Sequence, residues 1–186
     1  LYVSGGFNEQ LAETLLDHRS EDIRTWVVRL LGDEKTISPV LHSRLLSLAT
    51  TDHSPVVRSQ LACTAKRLPG PEALPIVREL LKHDADLQDP PIPLLLWWAV
   101  EDKAATDREL VLDLLAEPEN WQQPLVRKMI IERLAQRYAA AGSDADFECC
   151  ARLLALAPGE AETAMLITGM EKGLQGRKRD AVPAAL

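Results

Sequence analysis

The sequence predicts an all-α chain, an α-solenoid (superhelix) of about five helical hairpins. Three observations carry this. A Val/Ile-Arg pair opens apolar helical stretches at a near-constant spacing, as Ile23-Arg24, Val57-Arg58 and Val126-Arg127. Arg24 to Arg58 is 34 residues and Arg58 to Arg127 is 69, or two similar steps; a period of roughly 30 to 50 residues with paired helices marks a solenoid. Helix starts and stops are written out, as in Ser54-Pro55 before the helix and Pro69-Gly70 after it, where a hydroxyl cap and a proline at the first position belong. Finally, almost no stretch alternates apolar and polar residues as a half-buried strand would.

The elements follow in order. Residues 1–7, with Gly5-Gly6, read as a linker or the tail of a preceding element. Repeat one, approximately 8–34, has Asn8 as a cap, Leu11, Leu15 and Leu16 inside, Asp17 in the turn, and Ser20 capping a second helix that Gly32 ends. Repeat two, 35–69, opens on Ser38-Pro39 and continues through the turn Thr50–His53 into the Ser54 helix, whose stripe is Val57, Leu61, Ala62, Ala65 and Leu68. Repeat three, 70–105, carries Leu74, Val77, Leu80 and Leu81, then the irregular turn His83–Pro93, then an apolar helix. Repeat four, 106–142, opens on Thr106–Glu109, which has the spacing of a capping box, and its second helix runs from Pro124 to Ala141 before Gly142. Repeat five, 143–176, places Phe147, Cys150, Leu153 and Leu154 on its first helix; Gly169 and Gly173 weaken its second, at about 1 kcal/mol each relative to Ala. Residues 177–186 read as a tail or the start of a truncated further repeat, so 8–176 forms one solenoid domain.

Composition narrows the function classes. The chain has 186 residues and a formal charge of −7, which argues against a nucleic-acid binder, since that needs a basic footprint. The longest apolar run, Ile92 to Val100, falls far short of the ~20 residues a membrane helix needs. Cys63, Cys149 and Cys150 are odd in number, two of them adjacent, and read as buried free thiols rather than a disulfide framework. His18, His42, His53 and His83 lie in different repeats without zinc-ligand spacing. Asp84, Asp86 and Asp89 share a loop that lacks the glycine turn and closing Glu of a calcium site, and read as a solvated acidic turn. Arg127, Lys128, Arg133 and Arg137, with the run Arg177-Lys178-Arg179, read as solvated basic faces, with a docking patch for an acidic partner as the alternative. No residue set has the pattern of a nucleophile with its base and orienting group, so no catalytic, cofactor-binding or metal residue is assigned. The chain opens on Leu1 and ends on Leu186 without start or stop signals, and reads as a segment of a larger protein.

The pairing of an acidic turn with a Val/Ile-Arg helix resembles the HEAT-repeat family. The residues that carry it are Asp17 with Ile23-Arg24, Asp52 with Pro55, Val57 and Arg58, and Pro124 with Val126-Arg127; Leu95 and Met165 stand where the pattern would have Arg. The resemblance implies a non-catalytic scaffold for protein–protein interaction, with a ridge on which Asp17 and Asp52 bond to Arg24, Arg58 or backbone N–H groups. A narrower string, Asp89 to Ala99, resembles the HEAT segment of large planctomycete haem-binding proteins, which join a dehydrogenase-like propeller to a c-type cytochrome domain. That likeness implies a spacer or docking segment, partnered by other domains of its own chain or by another protein, with haem c elsewhere in the parent and an extracytoplasmic, periplasmic location. No C-x-x-C-H is present here. Two other readings are an accessory subunit or lyase acting on a bound cofactor, and a HEAT-like DNA glycosylase, which the charge of −7 disfavours.

The candidate interaction surface is Trp26, Arg58, Trp97 and Arg127. With each second helix indexed from residues 24, 58, 95 and 127, Trp26 and Trp97 both fall two after the index, off the apolar stripe. Trp98 falls on the stripe, and is expected to be buried.

Overall fold

A computed structural model describes residues 6–176. Residues 1–5, and the segment 177–186 read as a tail or truncated repeat, lie outside the described residues. Every regular element among the described residues is a helix and none is a strand, so the fold is all-α and of the α-solenoid class. The chain divides into two compact units, Leu1–Ala99 and Val100–Leu186.

The first unit contains α1 (Glu9–Leu16), α2 (Glu21–Leu31), α3 (Pro39–Thr51), α4 (Pro55–Arg67), α5 (Gly70–Leu80) and a 3₁₀ turn (Asp84–Gln88), and ends inside α6 (Ile92–Lys103). Three of its helices start where the caps predict. Asn8, Ser38 and Ser54 each accept a hydrogen bond from the backbone N–H three residues on, satisfying one of the first-turn donors that no helix can satisfy internally. Ser20 is different: its side chain makes no cap bond, and its own N–H donates to Nδ1 of His18. First helices stack on first helices, α1 on α3 and α3 on α5, while α2 lies against α4. That is how a hairpin with one apolar face covers it with its neighbour. Val27, Val28, Leu45, Val57, Leu61, Ala65, Leu74 and Val77 form the seam. Gly32 is needed where α2 ends, because a Cβ there would lie 2.9 Å from Cγ2 of Thr64, whose hydroxyl donates to the Val28 carbonyl at 2.9 Å.

The second unit contains α7 (Arg108–Asp113), a 3₁₀ turn (Pro118–Gln122), a π turn (Val126–Ile130), α8 (Ile131–Ala141), α9 (Asp144–Leu156) and α10 (Glu160–Leu174). Within it α7 lies on α9 and α8 on α10, the same hairpin rule. Thr106–Glu109 does not form a capping box: Asp107 occupies the cap without a side-chain bond, and the Thr106 hydroxyl donates to the Asp107 carboxylate instead. A reciprocal box is present at Ser143 and Asp146. Residues 124–141 are one helical run, as expected, but the π turn adds a residue to it. Val126, Met129 and Ile130 are buried before the insertion; Ile131, Leu134, Ala135 and Tyr138 are buried after it, one position out of phase. Gly169 and Gly173 prove to be contact points. A Cβ on Gly169 would sit 2.2 Å from the Glu132 carbonyl oxygen, and one on Gly173 would sit 2.6 Å from that of Gln136. Only glycine lets α10 lie that close to α8.

Candidate functional site

Two surfaces of the first unit must be separated: a buried ladder of charges at the turns, and an exposed face along the second helices. The ladder is built from the repeat itself. Nε and Nη2 of Arg24 fork onto the Asp52 carboxylate at 2.7 and 2.8 Å. Arg58 does the same one repeat later, onto Asp86, at 2.6 and 2.5 Å. Each arginine also turns its Nη1 back to the carbonyl six residues before it, His18 for Arg24 and Asp52 for Arg58. The Asp52 carboxylate accepts from the Ser54 N–H at 2.9 Å as well. Burial pushes Asp52 up, but the Arg24 fork and the Ser54 N–H outweigh it and hold the carboxyl below the usual carboxylate range. Arg58 is 6% exposed and Asp86 2%.

This arrangement corrects three expectations. Arg58 is not a polar contact for a partner, since the guanidinium is buried and all three of its nitrogens donate inside the protein. Asp17 takes no part in the ladder; it pairs with Arg44 at the exposed surface. The acidic turn is not merely solvated. Asp86 is buried in the ladder, and Asp89 accepts from the Ile92 N–H to start α6. Among the described residues no group of three or more His, Cys, Asp or Glu could hold a metal ion.

The exposed face follows from helix phase. In α4, core positions fall one before Arg58 and three, four and seven after it: Val57, Leu61, Ala62 and Ala65 are all fully buried. In α6 the buried residues include Ile92, Leu96 and Trp97, which puts the index at Pro93 rather than Leu95. Pro93 is itself buried in the arginine's place. Trp97 therefore occupies the position of Val28 and Ala62 and is 6% exposed, while Trp98 is 41% exposed. The expectation for this tryptophan pair is reversed, because repeat three was phased two residues late. Half of the 69-residue interval from Arg58 to Arg127 points to residue 92 or 93, and that signal was present in the sequence.

With the phase corrected, two ranks of residues turn outward. Trp26, Gln60 and Leu95 stand two after the index, and Arg29, Cys63 and Trp98 five after it. Trp26, at 58% exposed, lies on the surface as expected. The Arg29 guanidinium sits 5.2 Å from the Trp26 ring centre, and Nζ of Lys66, on α4, sits 5.8 Å from that of Trp98. Cys63 lies between these pairs, half-buried. Burial raises its thiol pKa while Arg67, Arg29 and Lys66 pull it back. Arg67 is itself bonded to Asp33 at 2.5 Å and to the Arg29 carbonyl at 3.4 Å, which ties α4 to the end of α2. Arg29, Lys66 and Trp98 are the members of this face that sequence reasoning missed.

Arg127 belongs to the second unit and pairs with Glu162, whose carboxyl that contact lowers. The four sequence-selected residues are thus not one site. Trp26 is on the face, Trp97 in the core, Arg58 in the ladder, and Arg127 in a pair of its own. Nor is a thiol poised for attack: burial raises Cys149 and pushes Cys150 up to about 12, the reverse of an activated cysteine. The three cysteines are free. Two histidines serve as structural links, His42 Nε2 to the Glu72 carbonyl and His83 Nε2 to the Ala49 carbonyl.

Residues 8–89 match the family model for HEAT repeats, which covers the hairpins of the first unit up to the Asp86 turn. No curated protein and no solved structure matches the chain.

Proposed function

We propose that the chain is a non-catalytic HEAT-like interaction module that docks a protein partner on the second-helix face of its first unit. The observation that supports this most is Trp26, 58% exposed at a position where its own core has no use for it. Large aromatic side chains left in water are the usual anchors of interfaces. Trp98 adds a second anchor and the HEAT-repeat match agrees with the class. The test needs no partner in hand. Trp26→Ala and Trp98→Ala should each change stability by less than about 1 kcal/mol, as surface substitutions do, whereas Trp97→Ala should cost about 3–5 kcal/mol as a core truncation. Chemical denaturation of the three variants reads this directly. A loss of several kcal/mol at Trp26 would make it a packing residue and end the reading.

A finer proposal rests on the string 89–99 alone. In it the module is a spacer within a larger, extracytoplasmic haem-binding protein, docking its neighbouring domains, with haem c held elsewhere in that parent. Sequencing the full reading frame tests it; a frame without C-x-x-C-H would discard it.

A further inference from the structure

We propose that a cavity at the start of α1 and α3 takes the basic side chain, lysine or arginine, of a protein partner, with its methylene stem on an apolar wall and its charge between Glu9 and Glu34. The site shares no residue with the second-helix face and does not depend on it. The cavity measures about 430 Å³, at the lower end of the roughly 300–1,000 Å³ that ligand sites occupy. It forms where α2 stops and the chain turns back into α3. Lys35, in the left-handed region at φ 58°, makes that reversal, and its N–H donates to the Gly32 carbonyl at 3.3 Å. Leu30 and Leu31 at the end of α2, Ile37 in the turn and Leu41 on α3 form the apolar wall. Leu41 is buried, but Leu30, Leu31 and Ile37 are only half-buried, so the protein's own core leaves part of this wall uncovered.

Charge complementarity selects the occupant. Glu9 and Glu34 are exposed and line the cavity, and among the described residues no Lys, Arg or His lines it. Glu9 accepts from the Ser38 hydroxyl, a neutral donor that fixes the carboxylate without cancelling its charge. Neither glutamate forms an ion pair among the described residues. The N-terminal ends of α1 and α3 oppose a cation with about half a charge each, and Asn8 and Ser38 cap them. Two full carboxylate charges, joined by the negative C-terminal end of α2, outweigh that opposition. A long basic side chain matches both halves of the site, since its stem buries against apolar surface while its charged head stays at the polar rim. A purely apolar side chain would desolvate the two carboxylates without pairing them. A cavity of this volume holds one long side chain, so the cation is one carried on a chain rather than a free polyamine, whose further charges would lie outside it.

The experiment titrates the isotope-labelled full chain with an acetylated, amidated Gly-Lys-Gly tripeptide and follows its amide resonances. Saturating shifts should appear at Glu9, Leu31, Glu34, Ile37 and Leu41, with an affinity in the range of about 1–10 mM for a single side chain. Raising salt from about 50 to 300 mM should weaken the binding. Glu9→Gln and Glu34→Gln should each weaken it about threefold or more, and the double variant about tenfold, with melting curves confirming that each is folded. Equal binding of the norleucine tripeptide, which keeps the stem and lacks the charge, would overturn the proposal. So would unchanged affinity in the double variant, shifts centred on Trp26 and Trp98 instead, or no saturation by about 50 mM peptide. Tighter binding of spermidine at the same residues would overturn it in favour of a free polyamine. Shifts that appear only once residues 1–5 are removed would overturn it in favour of that segment as the occupant. None of these outcomes bears on the docking reading above, which the stability of Trp26→Ala decides.

Discussion

Arg58 shows what one residue does when a repeat reuses it. Its fork to Asp86 is buried on both sides, and a buried pair broken from one side leaves an uncompensated charge worth about 3–5 kcal/mol of destabilisation. Arg58→Ala should therefore lower stability by about that much, and Arg58→Lys should recover only part of it, because a lysine cannot fork onto two carboxylate oxygens. In double-mutant cycles Arg58 should couple strongly to Asp86. Coupling to the Asp52 side chain should be weaker, since Arg58 reaches only that residue's backbone carbonyl; equal coupling would refute the assignment. The sequence made Arg58 conspicuous through its period, but its partner was hidden. Asp86 lies in a turn with two other acids, and nothing in composition separates a buried aspartate from a solvated one. Trp97 and Trp98 posed the same difficulty: adjacent identical residues on an apolar helix are told apart only by phase.

At the scale of elements, α8 and α10 approach so closely that glycine becomes obligatory. Gly169→Ala would force its methyl onto a backbone carbonyl, which cannot give way as a flexible side chain could. The expected loss is at least the 1–3 kcal/mol typical of overpacking, despite alanine's better helix propensity. Gly159→Ala, where the nearest neighbour of the new Cβ is a Glu162 side-chain oxygen at 3.3 Å, should cost far less. Thermal melts of the two variants decide it, and a stabilised Gly169→Ala would show that the helices are not packed as described. Propensity alone reads Gly169 and Gly173 as weaknesses, because the reason for them lies on another helix. The π turn was legible in principle. Met129, Ile130 and Ile131 are three consecutive apolar residues, more than one stripe of a regular helix accommodates, and the extra residue is what buries all three. Caps were the most readable feature, since their chemistry is local: Asn8, Ser38 and Ser54 behave as their positions dictate.

For the whole molecule, acid is the condition that touches both units. Asp52 in the first and Asp146 in the second are each held below the usual carboxylate range, against burial, by Arg24 with Ser54 and by Ser143 with Arg108. A carboxyl whose folded pKa is depressed contributes stability that is present above its unfolded value, near 3.9, and lost as pH falls through the lower folded value. The urea midpoint should accordingly hold from about pH 7 to 5 and fall below about pH 4. In Asp52→Asn the fall should be shallower, from a lower starting point, and an identical acid profile would show that Asp52 does not contribute. Fold class was fully legible because period, caps and apolar stripes are independent signals that agree. The face was half legible. Its anchor at Trp26 follows from one helix, but its cations and its second indole depend on the relative phase of three.

Each rung of the ladder joins an arginine of one repeat to an aspartate of the next, 28 residues on. The unit of inheritance is therefore set by phase rather than by hairpin boundaries. A deletion that removes residues 25–58 would splice Arg24 to Ser59, place Asp86 at the distance Asp52 held, and keep Leu61, Ala62 and Ala65 on the buried side. Removing one residue more or fewer would rotate the rest of the spliced helix by about 100° relative to Arg24, a change that only the following turn could absorb, as the turn before α6 absorbs the 35-residue step from Arg58 to Pro93. Loss of a whole period is thus the change that keeps a rung and the apolar stripe together.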